Sequence, residues 1–102
     1  MVAVDDGFIV TNDGLGTELR LPMASLRRVV VATDDSGPWG VDVVFLLYSS
    51  EAAPVGIFPL EATGVQNFID WLQRLPGYHD RELAKAMSST EVARFVVYDA
   101  QA

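Results

Sequence analysis

The sequence predicts an α+β domain with a curved, mainly antiparallel sheet and two helices, in the order β-β-β-β-β-α-α-β. Three observations indicate this class. Turn residues and prolines divide residues 8–60 into short β-forming segments, the apolar spacing becomes helical over residues 65–75, and a β-forming segment returns at residues 91–100. Half of the 102 residues are apolar, which is enough for one core. We therefore expect a single domain over residues 1–102.

The first two predicted strands form a hairpin. Phe8 to Thr11 and Thr17 to Leu21 are rich in β-forming residues, and Asn12-Asp13-Gly14 between them tolerates the left-handed backbone of a turn. Pro22 ends the second strand, and Met23-Ala24-Ser25 makes a corner toward the third strand.

Three further strands are predicted before the helices. Residues 26–33 and 41–48 are strongly apolar, whereas residues 55–60 form a weaker strand. Pro59 cannot donate a ladder hydrogen bond, because its nitrogen carries no hydrogen. We therefore expect this fifth strand to lie at an edge or to end there.

Two helices follow, and both are predicted to pack on one face of the sheet. Thr63 is the expected N-cap of the first helix, and Pro76-Gly77 ends it. Asp80 is the expected cap of the second. The inward-facing residues predicted for the two helices are Val65, Phe68, Ile69, Leu72 and Leu75, then Leu83, Ala86 and Met87.

The fourth and last strands are apolar on both faces, and this creates a packing problem. A sheet with one face in water alternates apolar and polar residues, and two short helices cover only one face. The other face is closed either by curling of the sheet into a half-barrel or by a second copy of the chain. We expect a homodimer, and its interface is predicted to contain Val44, Leu46, Tyr48, Val96 and Tyr98.

The charge balance limits the possible partners. The chain has fourteen acidic and seven basic residues, and its net charge is −7. Nucleic acids and anionic membranes repel such a surface, and the small patch of Arg20, Arg27 and Arg28 is more simply explained by solvated strand edges paired with Glu18 or Asp42. We expect no nucleic-acid or membrane partner, and a basic protein is the better electrostatic match.

Location follows from two further absences in the sequence. No apolar segment approaches the ~18 residues of a membrane span. The first residues lack the basic start and apolar stretch of a signal peptide. A cytoplasmic protein is expected.

The segment Asp34-Asp35-Ser36-Gly37-Pro38-Trp39-Gly40 is predicted to be a turn first and an interaction site second. Turn chemistry explains its composition. Asp34, Asp35 and Asp42 offer oxygen ligands to a hard cation, but the spacing of a calcium-binding loop is missing, so no metal is predicted. Trp39 either folds over the sheet edge or stays exposed, and an exposed tryptophan rimmed by carboxylates suits a protein interface.

No catalytic or cofactor-binding constellation is evident. His79 neighbours Asp80, but adjacent residues point apart and Asp80 has a capping role. Gly14-Leu15-Gly16 lacks the third glycine and the following helix of a dinucleotide loop, and no nucleophile elbow surrounds Ser88. We therefore expect neither an enzyme nor a bound cofactor.

Three segments resemble a family of small bacterial proteins of about this length: residues 33–47, residues 71–98 and, less closely, residues 7–14. The function of that family is unassigned, so the resemblance implies no catalytic or binding residue. Residues 19–31 (LRLPMASLRRVVV) also resemble the strand-corner-strand of bacterial pleckstrin-homology-like domains, which implies a half-barrel. This sequence departs from that fold because a strand follows its helices.

The sequence leaves three candidate functions. The first is a non-enzymatic protein-binding module, including an acidic antagonist or immunity-type protein that neutralises a basic partner. The second is a homo-oligomeric structural or accessory domain. The third is a small enzyme that uses His79 or the carboxylates of Asp34, Asp35 and Asp42. We expect the first, since small size and acidity fit it and no catalytic constellation supports the third.

Overall fold

The computed structural model describes residues 1–12, 18–37, 40–88 and 92–100, with residues 34–37 and 40–42 described by their backbone alone. Seven strands and two helices follow each other along this part of the chain. Their bounds are β1 Val2–Asp5, β2 Phe8–Asn12, β3 Glu18–Pro22, β4 Arg28–Gly37, β5 Gly40–Tyr48, β6 Gly56–Pro59, α1 Val65–Leu72, α2 Asp80–Ser88 and β7 Ala93–Asp99. The predicted corner is a short 3-10 helix, Met23–Ser25, directly after Pro22 ends β3.

The strands form two antiparallel sheets. One has the order β1-β2-β3 and the other the order β6-β5-β4-β7. The predicted class, an α+β fold with antiparallel strands and two helices, is confirmed. The described strands are divided between two sheets instead of one, and these sheets do not close into a barrel. β6 lies at an edge, as Pro59 predicted.

One strand, β1, is absent from the sequence-based prediction. It pairs with β2 through a tight turn at Asp6 and Gly7, whose φ angles are 49° and 84°. Aspartate followed by glycine between β-forming residues is a strong local signal for such a hairpin, because both central residues need positive φ. The prediction overlooked this signal. Val2 on β1 is 1% exposed, so the omitted strand contributes to the core.

The core lies between the two helices, the small sheet and one face of the four-stranded sheet, which we call the inner face. Its centre is a group of aromatic rings: Phe45 stacks on Phe58 at 5.1 Å between centroids, and Phe68 of α1 meets Phe58 edge-on at 5.2 Å. Rings in such contacts stabilise beyond the area they bury. The buried residues of both helices belong to this cluster, so the helices cover the inner face.

Two predictions about the helices are wrong in detail. The N-cap of α1 is Gly64 at φ 91°, not Thr63, whose carbonyl instead accepts a hydrogen bond from the Val2 amide at 2.9 Å. A side chain at Gly64 would overlap the Val2 carbonyl, so the close approach of β1 requires glycine. Met87, predicted to point inward, is 41% exposed. The reason is that α2 packs on β7 and β4 through a narrow stripe in which Leu83 and Ala86 are the buried residues.

Candidate interaction surface

The second face of the four-stranded sheet carries a row of apolar residues that crosses all four strands. The register pairs Ile57 of β6 with Leu46 of β5, Leu46 with Val30 of β4, and Val30 with Val96 of β7. Ile57 is 60% and Val96 38% exposed at the ends of the row, whereas Leu46 and Val30 are buried between them. We call this row the apolar row and the face that carries it the outer face.

Two further rows of described side chains flank the apolar row. The register places Pro59, Val44, Ala32 and Arg94 in one row beside the apolar row. On the other side it places Tyr48, Arg28 and Asp99 in what we call the mixed-charge row. These three rows therefore form a band of aliphatic side chains with arginine on either side.

No helix in the described part of the chain packs on the outer face. The buried residues of α1 and α2 belong to a cluster that includes Val29, Val31 and Phe45, which alternate with the outer residues along β4 and β5, and excludes Val30 and Leu46. The sequence produced this situation directly, because β4 and β5 carry unbroken apolar runs and consecutive side chains of a strand point to opposite faces.

The charges on the outer face differ from those of the chain as a whole. Arg28 and Asp99 form an ion pair at 3.7 Å, and the Arg28 side chain remains 52% exposed. Arg94 is exposed at the other side of the apolar row. Two arginines and one aspartate are thus the residues of these three rows that are charged at pH 7, although the chain has a net charge of −7. The three described rows are therefore slightly basic on an acidic protein.

A cavity of about 580 Å³ continues the mixed-charge row at the end of the sheet. Its lining is polar and of both signs: Arg27, Arg28, Tyr48, Ser49, Ser50, Glu51, Ala52 and Asp99. Because this lining contains two arginines and two carboxylates, the cavity has no net charge with which to select a small anion or cation. Its polar groups suit the rim of a protein contact.

The structure places four of the five predicted interface residues together. Val44, Leu46, Tyr48 and Val96 have register partners within the three rows of the outer face. Tyr98 does not belong with them, because it is 8% exposed and a member of the core cluster. The cause is a register shift in β7: Val30 pairs with Val96 but Val29 pairs with Tyr98, so Val97 is an extra residue. Such a bulge reverses the alternation beyond it.

The aspartate-rich segment is only partly described. The backbone register pairs Asp34 with Asp42 and Gly37 with Gly40, with an irregularity between the two pairs. The side chains of Asp34, Asp35 and Asp42 are not described, and Trp39 lies outside the described residues. The interaction site predicted at these four residues therefore stays a prediction.

His79 and Asp80 form no hydrogen bond with each other. The backbone amide of His79 donates to the Val97 carbonyl at 2.8 Å, and Asp80 Oδ1 accepts a hydrogen bond from the Tyr78 hydroxyl at 3.3 Å. Asp80 is the first residue of α2, where its charge is favourable to the helix. Burial raises the pKa of Tyr78, and the nearby charge of Asp80 raises it further, while a hydrogen bond with Gln73 opposes both effects. These contacts position the start of α2 against β7.

Neither metal ligands nor membrane spans are found in what the structure describes. Across residues 1–12, 18–37, 40–88 and 92–100, no three or more histidine, cysteine, aspartate or glutamate side chains are grouped to hold a metal ion. Over the same residues, no helix has the length and apolar character needed to cross a membrane.

Comparison with known proteins adds no relative. No protein-family model, curated protein or solved structure matches this chain. The resemblances to a family of small bacterial proteins and to pleckstrin-homology-like domains stay predictions.

Several residues of the outer face were not identified from the sequence. Ile57, Arg28, Arg94 and Asp99 join the face only through strand pairing. Alternation explains the position of Ile57, since Gly56 and Phe58 are buried on either side of it. No local signal relates Asp99 to Arg28, because 71 positions in the sequence separate them, counted from 28 to 99.

Proposed function

We propose that this protein is a non-enzymatic protein-binding module whose binding surface is the outer face of its four-stranded sheet. The observation that supports this most strongly is the apolar row, which crosses four strands with no described helix above it and ends in the exposed Ile57 and Val96. Exposed apolar surface rimmed by polar residues is typical of protein interfaces. The arginines and Tyr48 around the row are residue types that such interfaces favour.

The contacts of the candidate catalytic residues also favour binding over catalysis. An enzyme that used His79 as a base would need a group to orient its imidazole, and the neighbouring carboxylate of Asp80 is engaged by Tyr78 instead. The alternative enzyme at Asp34, Asp35 and Asp42 rests on residue types alone.

The nature of the partner depends on which surface it meets. A basic partner fits the overall charge of −7 and would be bound by the acidic surfaces of the chain. At the outer face the same partner would be repelled by Arg28 and Arg94. An antagonist that neutralises a basic protein would thus use residues other than these three rows, and the aspartate-rich segment around Trp39 is the candidate. We place this function in the cytoplasm, and fractionation of the native cells checks that assignment.

Site-specific photo-crosslinking in the native cells tests the proposal. A photoreactive phenylalanine replaces Ile57, and a matched variant carries it at Met87, which is also exposed but lies on α2. We expect discrete crosslinked protein products from position 57 that are absent from position 87. The crosslinked partner is then purified and mixed with this protein. Val96→Lys is expected to weaken the binding between the two. Equal crosslinking at both positions, or none at position 57, would contradict the proposal.

A further inference from the structure

We propose that the partner of the outer face is an amphipathic helix of another protein, whose apolar stripe lies along the apolar row and is bordered by carboxylates. This inference rests on the proposed function, because it uses the same surface. It adds the secondary structure and the charge of the segment that binds there.

The first argument is that the apolar row lies on a face of the sheet and not at an edge. An extended peptide binds a sheet by pairing its backbone with an edge strand. The edge of β7 is already occupied, because the His79 amide donates to the Val97 carbonyl at 2.8 Å and the Asp99 amide donates to Gly77 at 3.1 Å. At the edge of β6, Pro59 has no N–H to offer an added strand. On the face itself an extended backbone would lose water without gaining partners, whereas a helix satisfies its own backbone groups.

The inner face of the same sheet supplies the second argument. Unbroken apolar runs such as those of β4 and β5 are typical of strands that are covered on both faces. On the inner face the covering layer includes α1 and α2. A helix on the outer face would give the same strands a second helical layer.

The size of the face fits one helix better than a globular partner. Four strands at ~4.8 Å spacing and three rows of alternating residues give the described rows a footprint of roughly 400 Å². A specific interface between globular proteins covers roughly 800 Å² on each partner. The apolar row crosses three strand intervals, or roughly 14 Å, which is the length of about ten helical residues. A helix of roughly three turns therefore matches it.

The two arginines of the outer face lie where the borders of such a helix would be. Arg28 lies in the row on one side of the apolar row, and Arg94 lies in the row on the other side. Neighbouring rows are roughly 7 Å apart, slightly more than the radius of a helix with its side chains. A helix centred on the apolar row thus has an arginine beside each flank. Glutamate or aspartate at the borders of its apolar stripe would pair with them.

Both arginines are accessible to carboxylates of a partner. The Arg28 side chain is 52% exposed, and its 3.7 Å contact with Asp99 is too long for a hydrogen bond. Arg94 is exposed, and no ion pair joins it to another residue that the structure describes. Arg94 therefore has the greater capacity to bind a carboxylate.

The local charge and the overall charge lead to opposite expectations. The net charge of −7 attracts basic segments, whereas the three described rows carry two arginines and one aspartate. At physiological salt, charges more than ~8 Å apart are largely screened, so contacts within the face decide which helix binds. Val30 and Leu46 are already 6% and 7% exposed, so the apolar gain comes from the more exposed residues around them and the binding is weak.

Two synthetic helices of about 14 residues test the preference for carboxylates. Each has a leucine stripe and a hydrocarbon staple on the opposite face that holds the helix, and the stripe is bordered by glutamates in one and by lysines in the other. Each is titrated into the isotope-labelled full chain at roughly 0.15 M salt, and the backbone amide signals are followed by NMR. The glutamate helix should shift the signals of Val30, Leu46 and Val96 with a dissociation constant on the order of 100 µM. It should bind roughly tenfold more tightly than the lysine helix.

Charge reversal on the protein tests whether the outer face makes this selection. Arg94→Glu should remove the preference for the glutamate helix, because like charges then meet at one border. The matched control Arg81→Glu makes the same change at an exposed site on α2 and should keep the preference. The amide spectra also show whether both variants are folded.

A third peptide tests the helix itself. Prolines replace residues in the middle of the glutamate peptide and prevent it from forming a helix. This peptide should bind roughly tenfold or more weakly than the glutamate helix.

Each result decides the inference. Tighter binding of the glutamate helix that Arg94→Glu removes and Arg81→Glu keeps supports it. Equal or tighter binding of the lysine helix overturns it, and so do equal binding of the proline peptide, shifts confined to residues outside the outer face, and no shifts at roughly 1 mM peptide. A crosslink from position 57 to a second copy of this chain also overturns the helical partner. If position 57 crosslinks to another protein while the glutamate helix fails to bind, the helix alone is overturned and the proposed binding function survives.

Discussion

The inner and outer faces of the four-stranded sheet come from the same strands, and consecutive residues of those strands alternate between them. On β5, Leu47 belongs to the inner face and to the core cluster, whereas its neighbour Leu46 belongs to the outer face. Both are leucines and both are buried, but the inner residue is covered by helices and aromatic rings. The outer residue lies outside that cluster, and no described helix packs on its face. The comparison teaches that burial alone does not identify a core, because a covering layer is needed as well.

The largest effect is expected from removing part of the layer that covers the inner face. Leu72 of α1 is 1% exposed, so Leu72→Ala should lower the free energy of unfolding by about 2–5 kcal/mol. Met87→Ala on the exposed flank of α2 should change it by less than ~0.5 kcal/mol. Urea unfolding measures both values, and a loss under ~0.5 kcal/mol for Leu72→Ala would show that α1 does not cover the core through this face.

A matched pair on one strand compares the two faces directly. Leu47→Ala leaves a cavity under the helices and should cost about 2–5 kcal/mol, whereas Leu46→Ala opens onto solvent and should cost roughly half as much or less. The measurement is urea unfolding of both variants at low micromolar concentration, where the chain is expected to be monomeric. Equal losses would mean that the outer face is covered within the single chain.

A second matched pair compares the two faces on β7. Val97 is fully buried on the inner face, whereas its neighbour Val96 is 38% exposed on the outer face. Val97→Thr places a hydroxyl in the core and should cost about 1–3 kcal/mol. Val96→Thr should stay within ~0.5 kcal/mol, because threonine suits an exposed strand position. Thermal unfolding compares them, and a larger loss at Val96 would show that the two faces of β7 are assigned the wrong way round.

The smallest effect is expected from the ionisation of Tyr78, which lies just before α2. The pKa of Tyr78 is raised by burial and by Asp80, so the folded chain holds the phenolic proton more tightly than the unfolded chain, whose tyrosines titrate near ~10. The resulting stabilisation is complete below ~pH 10 and is lost as the pH rises through the folded-state value. Above ~pH 10 the melting temperature of the wild type should fall more steeply than that of Tyr78→Phe. Parallel curves would show that the pKa of Tyr78 is the same in the folded and the unfolded protein.

Most elements of the fold could be predicted from local patterns. The hairpin of β2 and β3, the corner after Pro22 and both helices follow from turn residues and apolar periods, and these act over a few residues. β1 was predictable as well, since Asp6-Gly7 is a hairpin signal, but it was overlooked. The candidate surface was predictable in outline, because the runs of β4 and β5 are apolar on both sides.

The sequence by itself determined that two strands have two apolar faces, while only the tertiary structure decided which residues share the outer one. Alternation is a local property with a period of two, so it can be read from consecutive residues. Register depends on contacts between distant segments, and one extra residue reverses every later position. The bulge at Val97 therefore moved Tyr98 into the core, and strand pairing brought Ile57, Arg28 and Asp99 to the face where a partner can bind.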